Sequence, residues 1–185
     1  ADTVFTYIYN ATGAGIKWFS GNASGTDTIF GAVNSPVSGS PVISIENAVN
    51  LTAGLWAQPS LASIGQIITV ILGVTNSGQA DALEAFGVTP VASTAGRVVV
   101  LDTPAAVTIS GGQYHAFTWT FSAESAGTVS FTSRSYAEDE NSGTVINSNQ
   151  ASSGNVLIQT AAGLSAAISS PQFVATGNTY TVYLT

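Results

Sequence analysis

The chain has 185 residues, which is long enough for one β-sandwich with a substantial core or for one domain with additional parts. Charged residues make up only 7% of it, and 3 Lys and Arg stand against 10 Asp and Glu, giving a formal net charge of −7. So few cations cannot neutralise a phosphate backbone, which excludes nucleic acid from the expected partners.

The composition also indicates a compartment. Chains poor in charge and rich in Ser, Thr, Gly and Asn are usual outside cells, and Ala1-Asp2 suits a mature N-terminus left by signal-peptide cleavage. The chain has no cysteine, so it has no disulfide framework. No apolar run approaches the length of a membrane span, since ITVILGV at 68–74 stops at a TNSG turn. We therefore expect an extracellular or cell-surface protein with no membrane insertion of the mature chain.

The first predicted element is an apolar segment that the sequence uses again much later. Residues 4–15 read VFTYIYNATGAG and residues 116–127 read AFTWTFSAESAG, and the two align without a gap. Residues matched along the chain include Phe5/Phe117, Thr6/Thr118, Tyr7/Trp119, Tyr9/Phe121, Gly15/Gly127, Phe19/Phe131, Gly31/Gly143, Ile45/Ile158, Leu51/Leu164, Pro59/Pro171, Gly65/Gly177, Val70/Val182 and Leu72/Leu184. Identity is roughly a quarter over about seventy positions, which indicates an internal repeat with a period of about 112 residues.

The repeat divides the chain at two seams, AVNL at 48–51 and AAGL at 161–164. Residues 51–163 make one complete unit of the size of a sandwich domain. Residues 1–50 correspond to the closing strands of a unit, and residues 164–185 correspond to the opening strands of another. The sequence therefore predicts one whole domain with a partial unit at each end.

Strand patterns follow one another through the complete unit, and helix patterns are nearly absent. QIITVILGVTNSG reads as a central strand of β-branched residues that ends at a turn, and GRVVVLD follows it. VTISGGQYHAFTWTFSA places Phe117, Trp119 and Phe121 at period two, and GTVSFTSRSY places Val129 and Phe131 on one face. With NVLIQT these make about seven strands, so we expect an all-β fold, an antiparallel sandwich of immunoglobulin-like (Ig-like) or jelly-roll type.

Three segments of this unit, taken in order, resemble the Ig-like repeats of the CARDB type, which occur in tandem in bacterial and archaeal surface proteins. The segments are GQIITVILGVTNSGQADA, ISGGQYHAFTWTFSAESAGTVSFTSRSYAEDENSG and SNQASSGNVLIQ. The resemblance covers nearly all of residues 51–163 and, in pieces, both ends. It implies a spacer, an adhesin stalk or an assembly module, and it imports no catalytic residues.

Residues that could carry catalysis are few. His115 is the only histidine, and without a cysteine or a second histidine neither a Cys/His pair nor a typical zinc site can form. GNASG at 21–25 places its serine one position late for a nucleophile elbow, and no carboxylate pair suggests glycoside hydrolysis. We expect no enzyme activity and no cofactor, with calcium as the one alternative.

The calcium alternative depends on the loop AEDENSG at 137–143. It concentrates the oxygen donors Glu138, Asp139, Glu140 and Asn141. Oxygen donors clustered on a turn can hold Ca²⁺ at a domain joint. Only Asp27 stands at the equivalent place in the first copy, and a solvated acidic turn is the competing interpretation.

Three N-glycosylation sequons, at Asn10, Asn22 and Asn50, lie at turns or seams. Chance alone supplies one or two sequons in a chain so rich in Asn, Ser and Thr. Glycans would help to keep a surface with so little charge soluble, in a host that modifies such sites.

Lys17 is the only lysine, and it aligns with Val129, an inward-facing position beside Phe131. Burial of a lysine is costly unless it is paired or uncharged. One hypothesis is an intramolecular isopeptide bond from Lys17 to an Asn or Asp, promoted by Glu46 or another acid. The other is that the lysine head reaches water at the edge of the partial unit.

The aromatic residues near the N-terminus, Tyr7, Tyr9, Trp18 and Phe19, are candidates for a sugar-stacking platform. Core or interface packing is the stronger interpretation, because their counterparts in the complete unit have core periodicity. Trp56 is the one aromatic residue to test for carbohydrate binding, since its counterpart is Ser169.

The two partial units are complementary, and this carries the functional prediction. Unpaired strands with one apolar face expose backbone groups and hydrophobic surface, so each needs a partner. The expected assembly residues are Val4, Phe5, Tyr7 and Tyr9 at one end, and Tyr180, Val182 and Leu184 at the other. Strand exchange between these ends is head-to-tail and non-closing, so it propagates as a fibre.

The sequence thus predicts the structural subunit of an extracellular filament that binds other copies of itself and serves adhesion or biofilm formation. This assembly resembles the donor-strand filaments of pili and of archaeal threads. One alternative is a piece of a long tandem-repeat adhesin or surface-layer protein, in which the half-units are completed within one polypeptide. A second alternative is a carbohydrate-binding accessory module.

Overall fold

The computed structural model describes residues 3–185, and the chain in this range forms strands and turns without a helix. No helix long and apolar enough to span a membrane therefore occurs among these residues. The strands, in chain order, are β1 (Gly15–Lys17), β2 (Ser20–Gly21), β3 (Ser24–Asp27), β4 (Gly31–Asn34), β5 (Ser38–Gly39), β6 (Ile43–Ile45), β7 (Leu51–Gln58), β8 (Leu61–Ser63), β9 (Ile67–Asn76), β10 (Ala82–Gly87), β11 (Val91–Ala92), β12 (Val98–Asp102), β13 (Val107–Ile109), β14 (Tyr114–Ala123), β15 (Gly127–Val129), β16 (Phe131–Ser133), β17 (Ser135–Asp139), β18 (Val145–Asn147), β19 (Ala151–Ser152), β20 (Val156–Gln159), β21 (Ile168–Ser169) and β22 (Tyr183–Leu184).

The expected all-β fold with antiparallel pairing is confirmed. In the central part of the chain the sheets have the strand orders β12-β14-β9-β7, β13-β10-β17-β18, β15-β20-β8 and β11-β16-β19. Every pair is antiparallel except β20 with β8. The sequence pattern predicted about seven strands here, whereas the structure has fourteen shorter ones. The predicted run GTVSFTSRSY, for example, is divided into β15, β16 and the start of β17 by breaks at Ser130 and Arg134, and the three pieces lie in different sheets.

The buried hydrophobic residues lie between Val49 and Ile158. Successive side chains on a strand point to opposite faces, so β9 and β14 each bury every second residue. Trp119 is the largest fully buried side chain. Gly87 packs directly against it, and a Cβ at that position would clash with the Trp119 ring. This core is the hydrophobic centre of a single β-sandwich unit.

The two ends of the chain contribute no buried side chain among the described residues 3–48 and 160–185. The first six strands pair only among themselves, as β1 with β6, β2 with β5 and β3 with β4, while β21 pairs with β22. Residues 4–9, expected to be a strand because they match residues 116–121, are not a strand here. A β-ladder needs a second strand to accept and donate its hydrogen bonds, and this segment has none.

Candidate assembly interface

The N-terminal segment repeats the strand pairing of the central unit. β1 and β6 pair antiparallel with Gly15 opposite Ile45, and their counterparts β15 and β20 pair with Gly127 opposite Ile158. β2 with β5 corresponds to β16 with β19, and β3 with β4 corresponds to β17 with β18. Between Gly15 and Ile45 the aligned residues thus form the same strand pairs in both copies, whereas residues 4–9 do not share the strand of their counterparts.

Side-chain hydrogen bonds are repeated as well. The Phe19 N–H donates to Ser40 Oγ at 2.9 Å, as the Phe131 N–H donates to Ser153 Oγ at 2.9 Å. Gly15 has φ of 133°, close to the 128° of its counterpart Gly127. Non-glycine residues rarely adopt such values, so the repeat keeps a glycine at both positions. The N-terminal segment therefore repeats the local structure of the closing part of the central unit.

The C-terminal segment repeats the opening part in the same way. Ile168 lies opposite Leu184 in β21 and β22, as Leu55 lies opposite Leu72 in β7 and β9. The turn between the two strands is also repeated, with the Asn178 N–H donating to the Ala175 carbonyl at 3.1 Å. In the central unit the Gln66 N–H donates to the Ser63 carbonyl at 3.0 Å.

The predicted assembly residues at the N-terminal end are exposed, whereas their counterparts are buried. Phe5 is 70% exposed, Tyr7 75% and Tyr9 67%. The counterparts Phe117, Trp119 and Phe121 are at most 4% exposed. Val4, 84% exposed, belongs to the same unpaired stretch. This face has the composition of a core and the accessibility of a surface.

The C-terminal end shows the same contrast. Tyr180, Val182 and Leu184 are 63%, 52% and 71% exposed. Their counterparts Ile68, Val70 and Leu72 are fully buried on β9. In the central unit these three face the same core as the buried side of β14, to which β9 is paired. The two ends therefore expose the counterparts of residues that face each other in the core of the central unit.

An open cavity lies in the N-terminal segment. It has a volume of about 430 Å³ and is lined by Tyr9, Lys17, Phe19, Ile43 and Ile45, among others. Tyr9 and Phe19 lie 4.6 Å apart between ring centroids, matching the 4.9 Å between Phe121 and Phe131 in the central core. The aromatic rings that line the open cavity are therefore spaced like their counterparts in the central core.

The seam at residues 46–50 is tied to the central unit by a carboxylate. The Val49 N–H donates to Asp139 Oδ2 at 2.7 Å, while Oδ1 accepts from the N–H groups of Asn141 and Ser142 at 3.1 and 2.9 Å. These donors, the Val49 N–H foremost, hold the pKa of the Asp139 carboxyl below its ordinary value, although burial acts in the opposite direction. Asp139 is a structural clasp between the seam and the acidic loop.

This geometry bears on the calcium alternative. Asp139 is 1% exposed and its two oxygens already accept protein hydrogen bonds, so it is not a solvated ligand on a flexible turn. Asn141 donates from Nδ2 to Glu46 Oε2 at 3.0 Å, and Glu138 and Glu140 are exposed. No group of three or more His, Cys, Asp and Glu within residues 3–185 is placed to hold a metal ion.

The three sequons differ in the state of the asparagine amide. Asn10 and Asn22 are exposed on the N-terminal segment. Asn50 is also on the surface, but its Nδ2 donates to Ser77 Oγ at 2.8 Å across the seam. The nitrogen that would carry a glycan is thus occupied at Asn50.

Lys17 is exposed and pairs through its backbone with Ile43. Lys17 lines the open cavity. It would reach the buried environment of its counterpart Val129 only if the cavity were covered. Glu46, the acid proposed to promote an isopeptide bond, is held instead by Asn141.

Trp56 is 42% exposed and lies over Gly73, together with Tyr114. A Cβ at Gly73 would touch both aromatic rings, so the glycine lets Trp56 from β7 and Tyr114 from β14 cover the same face of the sheet. Sequence reasoning named Trp56 alone and missed Tyr114, because the two residues meet only through the β7-β9-β14 pairing. The clasp role of Asp139 was missed for the same reason.

The chain matches no protein-family model and no curated protein. Among solved structures it is similar to native alpha-2-macroglobulin from Escherichia coli, at 19% identity and a TM-score of 0.46, with 61% of this chain and 17% of that chain covered. It is also similar to a CARDB domain from Pyrococcus furiosus, solved with di-metal ions, at 15% identity and a TM-score of 0.41. This match covers 60% of this chain and 90% of that domain.

A third similar structure is an ASH/PapD-like domain of human CEP192, at 10% identity and a TM-score of 0.38. It covers 60% of this chain and 89% of that chain. A CARDB domain is therefore among the structures to which the chain is similar, as its sequence resemblance implied. The chain spans 17% of the length of the E. coli structure.

Proposed function

We propose that this protein is the structural subunit of an extracellular filament, which polymerises head to tail by β-strand complementation and serves adhesion or biofilm formation. The proposal rests on one contrast: residues exposed at the two ends of the chain match residues that face each other in the buried core of the central unit. Phe5 and Leu184 are exposed at the two ends, while their counterparts Phe117 and Leu72 lie opposite each other in the buried centre of the sandwich.

Strand complementation gives the two ends what they lack, which is backbone hydrogen bonding and burial of their apolar side chains. The unpaired backbone of residues 4–9 gains ladder hydrogen bonds from a partner strand, and the apolar faces leave water. Because one copy offers its closing part and the next offers its opening part, the contact is heterologous and does not close on itself. Each subunit then has one such contact at each end, which gives a fibre. The role is mechanical, without catalysis or a cofactor, at the cell surface.

Deletion of residues 176–185 tests the proposal in the full chain. The deletion removes the counterpart of most of β9, from Ile67 to Gly73, so polymers seen by electron microscopy and light scattering should disappear. The central unit should keep its melting transition, because its buried residues lie between Val49 and Ile158. A matched control is the substitution of Ser170 and Gln172 by Ala, which keeps the strands and should leave polymers intact. Polymers that persist after the deletion contradict the proposal.

In the tandem-repeat alternative, the same contacts join consecutive units of one long polypeptide. The mass of the protein isolated from its source distinguishes the two, because a subunit has the mass of this chain plus glycans and a tandem-repeat adhesin is far larger.

A carbohydrate-binding module is the second alternative, and the observation that favours it is the exposed pair Trp56 and Tyr114 beside Gly73. Aromatic faces of this kind can stack on sugar rings. Substitution of Trp56 by Ala should abolish retention on an immobilised polysaccharide if this alternative holds. Calcium is tested in parallel, since a chelator should lower the melting temperature or soften the fibre if the acidic loop binds it.

A further inference from the structure

We infer the residue register of the joint between two copies of this chain. Residues 4–9 of one copy pair antiparallel with residues 180–185 of another, with Phe5 opposite Leu184, Tyr7 opposite Val182 and Tyr9 opposite Tyr180. The inference rests on the proposed function and goes beyond it, because strand complementation alone does not fix which residues face each other.

The register comes from the central unit. β14 and β9 are paired along their whole length, with Phe117 opposite Leu72, Trp119 opposite Val70 and Phe121 opposite Ile68. Each of these residues has a counterpart about 112 residues away along the chain, in one of the two ends. A slip of one strand by one residue would turn its three apolar side chains from the core face to the solvent face, so the register is strongly specified.

The second sheet of the joint follows from a second pairing. β20 and β8 are parallel in the central unit, with Ile158 opposite Ala62 and Gln159 opposite Ser63. Their counterparts place Ile45 of one copy opposite Val174 of the other. Val174 then covers the open cavity that Ile45 lines. The joint therefore closes both sheets around the cavity and is more than the addition of one edge strand.

A hydrogen bond at the seam completes the joint. Asp27 Oδ1 accepts from the N–H groups of Ile29 and Phe30 at 2.7 and 2.9 Å, as Asp139 Oδ1 accepts from the equivalent loop. Asp139 Oδ2 accepts from the Val49 N–H, and the counterpart of Val49 is Ala162. The register thus places the Ala162 N–H of one copy on Asp27 of the next.

The partner is a second copy because the two ends leave the central unit at opposite ends of β9. The Gln79 N–H, beyond the last residue of β9, donates to the Asn47 carbonyl at 3.0 Å, which fixes the N-terminal seam there. The Ile64 N–H, before the first residue of β9, donates to the Gln159 carbonyl at 2.9 Å, which fixes the C-terminal exit there. These ten residues of β9 span about 30 Å. Head-to-tail contact between copies joins such ends without folding either one back.

Cysteine pairs test the register, since the chain contains no cysteine of its own. Thr6 and Tyr183 lie opposite each other in the inferred register, and both point away from the core, as do their counterparts Thr118 and Ile71. T6C and Y183C, purified separately and mixed for assembly, should form disulfide-linked dimers under oxidation. The control pair is T6C with T181C, which is diagonal in the same register and too far apart for a disulfide.

The expected result is at least roughly tenfold more dimer from T6C with Y183C than from T6C with T181C, because a preformed joint raises the effective concentration of the opposed thiols. Filaments that form normally but cross-link equally or better through the control pair overturn the register and leave the proposed function intact. Disulfides formed within a single chain of the double variant T6C/Y183C contradict the inference that the partner strand comes from a second copy. Failure of the wild-type chain to assemble overturns the proposed function and the register together.

Discussion

The backbone N–H of Val49 donates to Asp139 Oδ2 at 2.7 Å, joining residues ninety positions apart at the point where the first segment meets the complete unit. The bond fixes the seam to the loop that follows β17. Ala48, the residue before Val49, lies against Gly78, where a Cβ would clash with the Ala48 carbonyl. The seam is therefore held by the sandwich and is not a free linker.

Neutralising the clasp should destabilise the central unit. Asp139→Asn removes the charge that accepts the Val49 N–H, and hydrogen bonds to a buried charge contribute about 1.5–3 kcal/mol. We expect a fall of about that size in the free energy of unfolding measured in urea. Asp27→Asn is the matched control, because Asp27 forms the same loop contacts outside the central unit and should leave its unfolding unchanged.

The same carboxylate predicts how stability depends on pH. The pKa of Asp139 is lower in the folded chain than the ordinary value of about 3.9 in the unfolded chain. Its contribution is therefore fully present above the unfolded pKa and is lost as pH falls through the folded pKa. Melting temperatures measured by circular dichroism should be steady above about pH 5 and drop below about pH 4. Asp139→Asn should flatten that drop, and an equally steep drop in the variant would contradict the assignment.

Two tryptophans of the central unit should differ sharply in their contribution to stability. Trp119 is 1% exposed beside Gly87, so Trp119→Ala leaves a large cavity and should cost about 3–5 kcal/mol. Trp56→Ala removes a side chain that is partly in water and should cost well under half of that. Urea unfolding followed by far-ultraviolet circular dichroism compares them, and equal losses would place Trp56 in the core as well.

Lys17 should weaken the joint that it lines. Covering the cavity takes its ammonium group out of water at the position where the central unit has Val129. Lys17→Val should therefore raise the urea concentration at which polymers dissociate, whereas Lys17→Arg, which keeps the charge, should not. A subunit mass lower by one ammonia or one water would instead establish the intramolecular isopeptide bond, and Lys17→Val would then restore the full mass expected from its sequence.

Glycan occupancy should differ among the three sequons. Asn10 and Asn22 present exposed amides, while the amide of Asn50 donates to Ser77 Oγ. We expect glycopeptide mass spectrometry of the protein from its source to find any glycans at Asn10 or Asn22 and an unmodified Asn50. A glycan at Asn50 would show that modification precedes folding of the seam.

Much of the fold could be predicted from local patterns. The period-two apolar residues of β14 and the β-branched run of β9 predicted their strands, because alternation and residue type act within a few positions. Strand number was underestimated, since the run from Gly127 to Asp139 breaks at Ser130 and Arg134, where successive pieces join different sheets, and such breaks depend on how neighbouring strands fit together. Residues 4–9 have a strand pattern without forming a strand, because pairing depends on a partner as well as on sequence.

The sequence by itself determined the repeat, the all-β class and the identity of the two apolar faces at the ends. These properties depend on the spacing and the type of residues, which can be read from the sequence without three-dimensional information. Only the tertiary structure decided that Asp139 is a buried clasp, that the Asn50 amide is engaged and that Trp56 meets Tyr114 over Gly73. Each of these depends on contacts between distant parts of the chain, and such contacts arise from packing that no local pattern encodes.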